Sequence, residues 1–231
     1  MTIEATTHPS VARAFIPGLL PSAVRVLAVT ARPGQESADL GGLLYAFRRS
    51  GASLSLLCLT RGKAARQGSG NARLEAARPW EVQMAAAILG VRQVAVADYR
   101  DESLHHYSTS DLAGRIQQAA VEYSADLVLV VAPETGDIGD AVVARAATAA
   151  ALRAGVPLAG RTRPGVSGAW MLDLGPDAEL ARAIQKSAVA AHETQAEALP
   201  ELLRRLDQLD SVETLRWLVS PARVPGQRVS P

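Results

Sequence analysis

Val24-Arg25-Val26-Leu27-Ala28-Val29-Thr30, running into Ala31-Arg32-Pro33-Gly34-Gln35-Glu36-Ser37-Ala38-Asp39-Leu40-Gly41-Gly42, is the stretch on which the fold turns. The first seven residues form a short, nearly continuous apolar run, as expected of a strand covered on both faces. Pro33 and Gly34 then interrupt the chain, and a helical pattern over Asp39–Ser50 stops before Gly51. Strand, tight loop and helix start in this order make the βα turn of an α/β domain. Ligands gather at the carboxyl end of such a strand.

Outward from this turn the pattern repeats. Leu54–Thr60, Val94–Asp98 and Leu127–Ala132 are further short apolar runs rich in Val and Leu. Between them lie helical patterns at Arg78–Leu89, stopped by Gly90, at Ser110–Tyr123, and at Asp140–Ala154, which opens on a capping residue and ends at Gly155. Repeated strand–helix alternation implies a three-layer αβα domain with a doubly wound, mostly parallel sheet. Val166–Leu174 reads as a strand at a sheet edge, and Asp177–Asp210 as a long helical stretch broken near Pro200. Residues 1–22 are expected to be an N-terminal extension, 23–219 one domain, and 220–231 a Pro-rich tail. Arg61–Ala72 reads as a polar, Gly-rich loop at the sheet's carboxyl edge.

Bulk properties narrow the function. With 231 residues and 48% apolar content, the chain can bury a full core. The net charge of +1 does not call for nucleic acid or an anionic membrane. All but Lys63 and Lys186 of the 24 basic residues are arginine. The lone Cys58 excludes a disulfide framework and a thiolate metal cluster, and reads as a buried inert thiol. No apolar stretch is long enough to span a membrane, and residues 1–22 lack the layout of a secretion signal, so a cytoplasmic location is expected.

Several kinds of chemistry are absent from the loops. No Gly-x-Gly-x-x-Gly or Walker-type loop follows the first strand, and no Gly-x-Ser-x-Gly elbow occurs. The four histidines are His8, His105, His106 and His192. Adjacent His105 and His106 diverge on regular structure. His192 sits in a helical pattern, where packing and a pocket role are both open.

Taken together, the segments resemble the LmbE-like family of zinc de-N-acetylases, which includes the N-acetylglucosaminyl-phosphatidylinositol de-N-acetylase. The family's Ala-His-Pro-Asp-Asp-Glu after the first strand is met here by Ala31-Arg32-Pro33-Gly34-Gln35-Glu36, followed by Gly41-Gly42. Further matches are Leu59-Thr60-Arg61-Gly62, Arg78-Pro79-Trp80-Glu81, Leu89-Gly90-Val91, Asp101-Glu102-Ser103-Leu104 and the late Lys186-to-Gln195 helix containing His192. The resemblance covers roughly residues 24–200 and implies the deacetylase fold.

It also implies which chemistry is missing. In the family, the histidine and second aspartate of the first loop bind zinc, and the first aspartate is the general base. Arg32, Gln35 and Gly34 stand there instead. The third ligand is the last histidine of His-Pro-Asp-His, met by Gly136-Asp137-Ile138-Gly139, so Gly139 takes the ligand position. Only Glu36 survives of the loop chemistry. The expectation is a metal-free relative, with no zinc or other cofactor, that keeps a pocket for an amino-sugar-like or amide ligand or plays a regulatory role. Candidate pocket residues are Arg32, Gln35, Glu36, Arg78, Asp101, Asp137, Asp140 and His192. Arg32 is expected to fill the former metal position and pair with Glu36 or Asp140. Arg78 could equally pair with Glu81 on its own helix, and Asp140 reads as an N-cap. One competing expectation is an amide hydrolase with a rearranged site, holding another divalent ion on Asp137 and Asp140 near Glu36. A second is an assembly protein whose 177–218 helices, with Trp217 and Leu218, make a homo-oligomer contact. Trp80 and Trp170 are expected in packing rather than as sugar platforms.

Overall fold

In a computed structural model, which describes residues 20–62, 72–195, 199–207 and 209–221, the decisive stretch forms strand β1 (Arg25–Thr30), the single turn α1 (Gln35–Ala38) and helix α2 (Gly41–Arg49). Then come β2 (Ser53–Thr60), α3 (Ala72–Leu89), β3 (Gln93–Tyr99), a 3₁₀ segment at Asp101–His106, α4 (Thr109–Glu122), β4 (Leu127–Val131), a 3₁₀ turn at Pro133–Thr135 and α5 (Ile138–Ala154). The chain continues through β5 (Leu158–Arg161), β6 (Ala169–Asp173), α6 (Ala178–Ala190), α7 (Leu199–Asp207) and β7 (Val212–Val219).

Among the described residues, seven strands form one sheet in the order β3-β2-β1-β4-β5-β7-β6. The first five strands are parallel; β7 runs antiparallel to both β5 and β6. β1 pairs with β2 on one side, Val26 beside Leu54, and with β4 on the other, Val26 beside Leu127. Strand order therefore reverses at β1, and a crevice opens above the carboxyl ends of β1 and β4. Each face of the sheet is covered. Leu43, Leu44 and Phe47 of α2, Val82 and Leu89 of α3 and Ala188 of α6 pack on one face. Leu112 and Ile116 of α4, with Val142, Val143 and Ala147 of α5, pack on the other. These are the three layers the alternation implies.

The structure corrects several element readings. The expected Asp39–Ser50 helix is α2, which starts at Gly41, and a separate turn, α1, precedes it, because the Gln185 amide donates to the carbonyls of Ser37 (2.9 Å) and Ala38 (3.1 Å). A continuous helix would offer those carbonyls to Gly41 and Gly42. Helix α3 starts by Ala72 and carries Pro79 inside it, where Arg78-Pro79 had read as a start. The 177–210 stretch breaks after Ala190, and Pro200 lies in the first turn of α7. Strands β5 and β7 carry no clear strand pattern in the sequence: β5 is four residues with a glycine, and β7 carries the charges of Glu213 and Arg216. Trp217 and Leu218 thus belong to an interior strand. Trp217 and Trp170 meet in a tilted contact, 5.4 Å between ring centroids, over one core, and Leu218 packs on the other. The 166–174 strand does lie at the sheet edge, as β6. His8, most of the extension at 1–22, most of the Gly-rich loop and nearly all of the Pro-rich tail lie outside the described residues.

Candidate functional site

The crevice holds a pocket of about 490 Å³ lined by Ala31, Arg32, Asp101, Leu104, His105 and the run Gly136–Gly139. It is built from three chain segments. The loop after β1 supplies Arg32, and Gly34, at φ 92°, makes the sharp turn into α1 that a residue with a side chain would resist. The 3₁₀ segment after β3 supplies Asp101, Leu104 and His105. The start of α5 supplies Asp137 and Gly139.

Arg32 and Asp137 meet across this pocket, 105 residues apart in sequence. Arg32 Nη1 donates to Asp137 Oδ1 at 3.1 Å and Nη2 to Oδ2 at 2.9 Å, a two-pronged charge-assisted contact. Asp137 also caps α5, accepting from the Asp140 amide at 3.1 Å. The N-cap is therefore Asp137, not Asp140. Asp140 lies three residues further on, buried, and accepts from Gln35 Nε2 at 2.5 Å and Thr135 Oγ1 at 2.7 Å. The amide oxygen of Gln35 accepts from the backbone of Ala31 (2.9 Å) and Arg32 (3.3 Å).

Glu36 is fully buried behind the loop. It accepts from the Gly34 amide and the Ser37 hydroxyl, both at 2.9 Å, and its Oε1 lies 2.7 Å from His192 Nε2. Arg32 accordingly pairs with neither Glu36 nor Asp140; capping geometry places Asp137 within its reach instead. Asp101, on the pocket wall, accepts from the Thr60 hydroxyl. Arg78 is buried against the loop after β2, its Nη1 3.3 Å from where a Cβ on Gly62 would stand. The Arg78–Glu81 pairing considered from helical spacing gives way to another: Glu81 accepts from both the amide and the hydroxyl of Thr194 at 2.7 Å.

Arg32, Asp101 and Asp137 thus line the pocket, while Gln35, Glu36, Asp140, His192 and Arg78 stand behind it. His105, Leu104 and Ile138 were missed as lining residues. The Asp101-to-Leu104 turn was the signal for the first two, and Ile138 adjoins the Gly136-Asp137 match. Trp80 lies largely exposed on the outer side of α3. Cys58 is buried, and burial pushes its thiol pKa up.

The electrostatics follow from these contacts. Burial pushes the Asp137 carboxyl up, but the hydrogen bond and charge of Arg32, with the amides of Asp140 and Gly139, outweigh it and hold the group below the ordinary carboxylate range. Asp140 moves the other way. Burial pushes it up, the hydrogen bonds from Thr135 and Gln35 oppose, and the charges of Asp137 and Asp39 add to the rise.

Zinc, which the sequence resemblance implies, does not suit this set of groups. The three positions that the resemblance matches to ligands offer a permanent cation, a carboxamide engaged at both ends, and a residue without a side chain. Among the described residues no group of three His, Cys, Asp or Glu side chains converges as a metal site would require.

Comparison with known proteins agrees with the architecture. The family model for GlcNAc-PI de-N-acetylase (PIG-L) matches residues 27–152, more than half of the chain. A probable N-acetyl-alpha-D-glucosaminyl L-malate deacetylase 2 of Bacillus anthracis is 30% identical over 135 residues, covering 53% of this chain and 59% of that protein. The chain therefore spans somewhat under two thirds of that relative's length. Among solved structures, the N,N'-diacetylchitobiose deacetylase of Pyrococcus horikoshii superposes with a TM-score of 0.69 at 16% identity, over 87% of this chain and 85% of that one. The 4-carboxy-2-hydroxymuconate hydratase GalB of Pseudomonas putida KT2440 does so at 0.59 and 17%, over 89% and 99%. At these identities the likeness is one of fold.

Proposed function

The chain belongs to the GlcNAc-PI de-N-acetylase (PIG-L) family, and from that premise we propose that it is a small-molecule-binding member that has given up zinc-dependent de-N-acetylation and keeps a pocket for a sugar-like or amide ligand. The observation that carries the reading is the set of groups at the ligand positions: a guanidinium at Arg32, a carboxamide at Gln35 and bare backbone at Gly139. In zinc hydrolases the ion lowers the pKa of its water to about 7 and polarises the acyl oxygen. A guanidinium can donate to an acyl oxygen, but it stays protonated and generates no hydroxide.

The neighbouring carboxylates are engaged as well. Asp137 holds Arg32 and the α5 amides, Asp140 holds Gln35 and Thr135, and Glu36 holds Gly34, Ser37 and His192. Such a site favours holding a ligand over turning it over. Arg32 donates to a ligand oxygen, and Asp101 accepts a ligand N–H or O–H through the oxygen that Thr60 does not take. A volume of about 490 Å³ suits a ligand of sugar size. The likeness to a hydratase as well as to deacetylases supports reading the activity from the site rather than from the fold. A hydrolase holding another divalent ion on Asp137 and Asp140 near Glu36 is the competing reading; such an ion would compete with Arg32 for Asp137 and with Gln35 and Thr135 for Asp140. A cytoplasmic location without a nucleic-acid partner belongs to the same proposal, supported by the near-neutral charge and the single buried cysteine. Among the described residues no helix is long and apolar enough to cross a membrane.

The test joins metal analysis of protein purified without chelator, acetate release from N-acetylglucosamine with and without added zinc, and calorimetric titration with the same sugar. We expect zinc well below stoichiometric, no acetate, and binding of the intact sugar. Acetate release at a catalytic rate overturns the proposal.

A further inference from the structure

We infer that the Arg32–Asp137 pair has taken over the tying role a metal would have here, stapling the loop after β1 to the start of α5 and closing the site to divalent ions. The inference builds on the reading of the site as metal-free and states what replaced the ion.

Three observations converge. The implied ligand positions lie on two segments, the loop after β1 (Arg32 and Gln35) and the start of α5 (Gly139), so an ion bound there would join the two. In this chain side chains join them: Arg32 to Asp137 through contacts of 3.1 and 2.9 Å, and Gln35 to Asp140 at 2.5 Å. Second, the pair occupies the room a ligand side chain would need. A Cβ built on Gly139 would stand 3.0 Å from Asp137 Oδ1, 3.2 Å from the Ala31 Cβ and 3.5 Å from Arg32 Nη1, so a longer side chain there is crowded first by the Asp137 carboxylate that Arg32 holds. Third, the charges are already matched. The Arg32 cation grips Asp137, so a divalent ion entering here meets a fixed positive charge and a carboxylate that is already bound. The planar guanidinium fork suits this role, since it holds one carboxylate by two parallel bonds.

The test reads thermal midpoints with excess zinc and with EDTA. The wild-type midpoint is expected to stay within about 1 °C under both. The variant Arg32→His/Gln35→Asp/Gly139→His returns two imidazoles and a carboxylate to the ligand positions. Its midpoint should rise by about 5–10 °C with zinc at a hundredfold excess over Kd and fall back with EDTA. Arg32→His/Gln35→Asp, which leaves Gly139 intact, covers the case in which a side chain at 139 prevents folding, and should show a smaller rise. In Arg32→Met without metal, amide exchange at Gly139 and Asp140 should quicken about threefold to fivefold as the staple is lost. A zinc-induced rise in the wild type overturns the inference. So does zinc indifference in a folded variant, or unchanged exchange in Arg32→Met. Acetate release by the wild type would instead overturn the functional reading, whatever the midpoints show.

Discussion

Asp137 serves two neighbours with one carboxylate: it caps α5 through the Asp140 amide and grips the Arg32 guanidinium. Both side chains of the pair are more than a third exposed, so solvent screens it to about 0–1 kcal/mol; the cap contributes about 1 kcal/mol more. Asp137→Ala should therefore lower stability by about 1–2 kcal/mol at pH 7 in urea unfolding. The sign of the pH dependence follows from the lowered folded pKa. The carboxylate's contribution is present above the ordinary range near pH 4 and is lost as pH falls through the lower folded value. Wild type and Asp137→Ala should thus converge below about pH 4; an undiminished gap at pH 2 would contradict this account. Asp140 has the opposite sign: with its pKa raised, its contribution is present below the ordinary range and lost as pH rises through the folded value. At this scale the sequence shows Arg32, Gln35 and Gly139 at the positions where the resemblance implies ligands. It did not reveal Arg32's partner, because an N-cap is set by where the helix starts, and the helix starts two residues earlier than its apolar pattern suggests.

The element scale is governed by the contact of α1 and α2 with α6 and β7. Gln185 of α6 takes the carbonyls of Ser37 and Ala38 and so ends α1. Beside it, Arg182 donates to Glu213 of β7 at 2.5 Å, both buried. This approach demands glycine: a Cβ on Gly42 would fall onto Glu213 Oε1 and within 2.5 Å of Arg182 Nη1. An ordinary helical Gly→Ala change gains about 0.5–1 kcal/mol. Gly42→Ala should instead lose about 3 kcal/mol, because it parts a buried ion pair; a gain in denaturant unfolding would refute the packing described. The Gly41-Gly42 pair itself is visible in the sequence. Its neighbours are not, since they lie about 140 to 170 residues further along the chain.

Over the whole molecule, the last strand completes the sheet from within. β7 lies between β5 and β6 and buries Glu213, Thr214 and Leu215. A chain ending at Asp210 would expose the edge of β5 and strand β6, with Trp170 losing Trp217. It is expected to lack cooperative thermal unfolding by circular dichroism; a sharp, wild-type-like transition would show that β7 is dispensable.

The four parallel strands β1 to β4, the layers and the residue types on the loops after β1 and β4 were all determined by the sequence alone, because local periodicity and the identity of single residues carry them. Tertiary structure alone decided the partners: Arg32 with Asp137, Gln35 with Asp140, Glu36 with His192, and β7 between β5 and β6. Each of these unites groups far apart in the chain. Their charges and polar atoms must be satisfied once buried, and no local pattern records which distant group will do it.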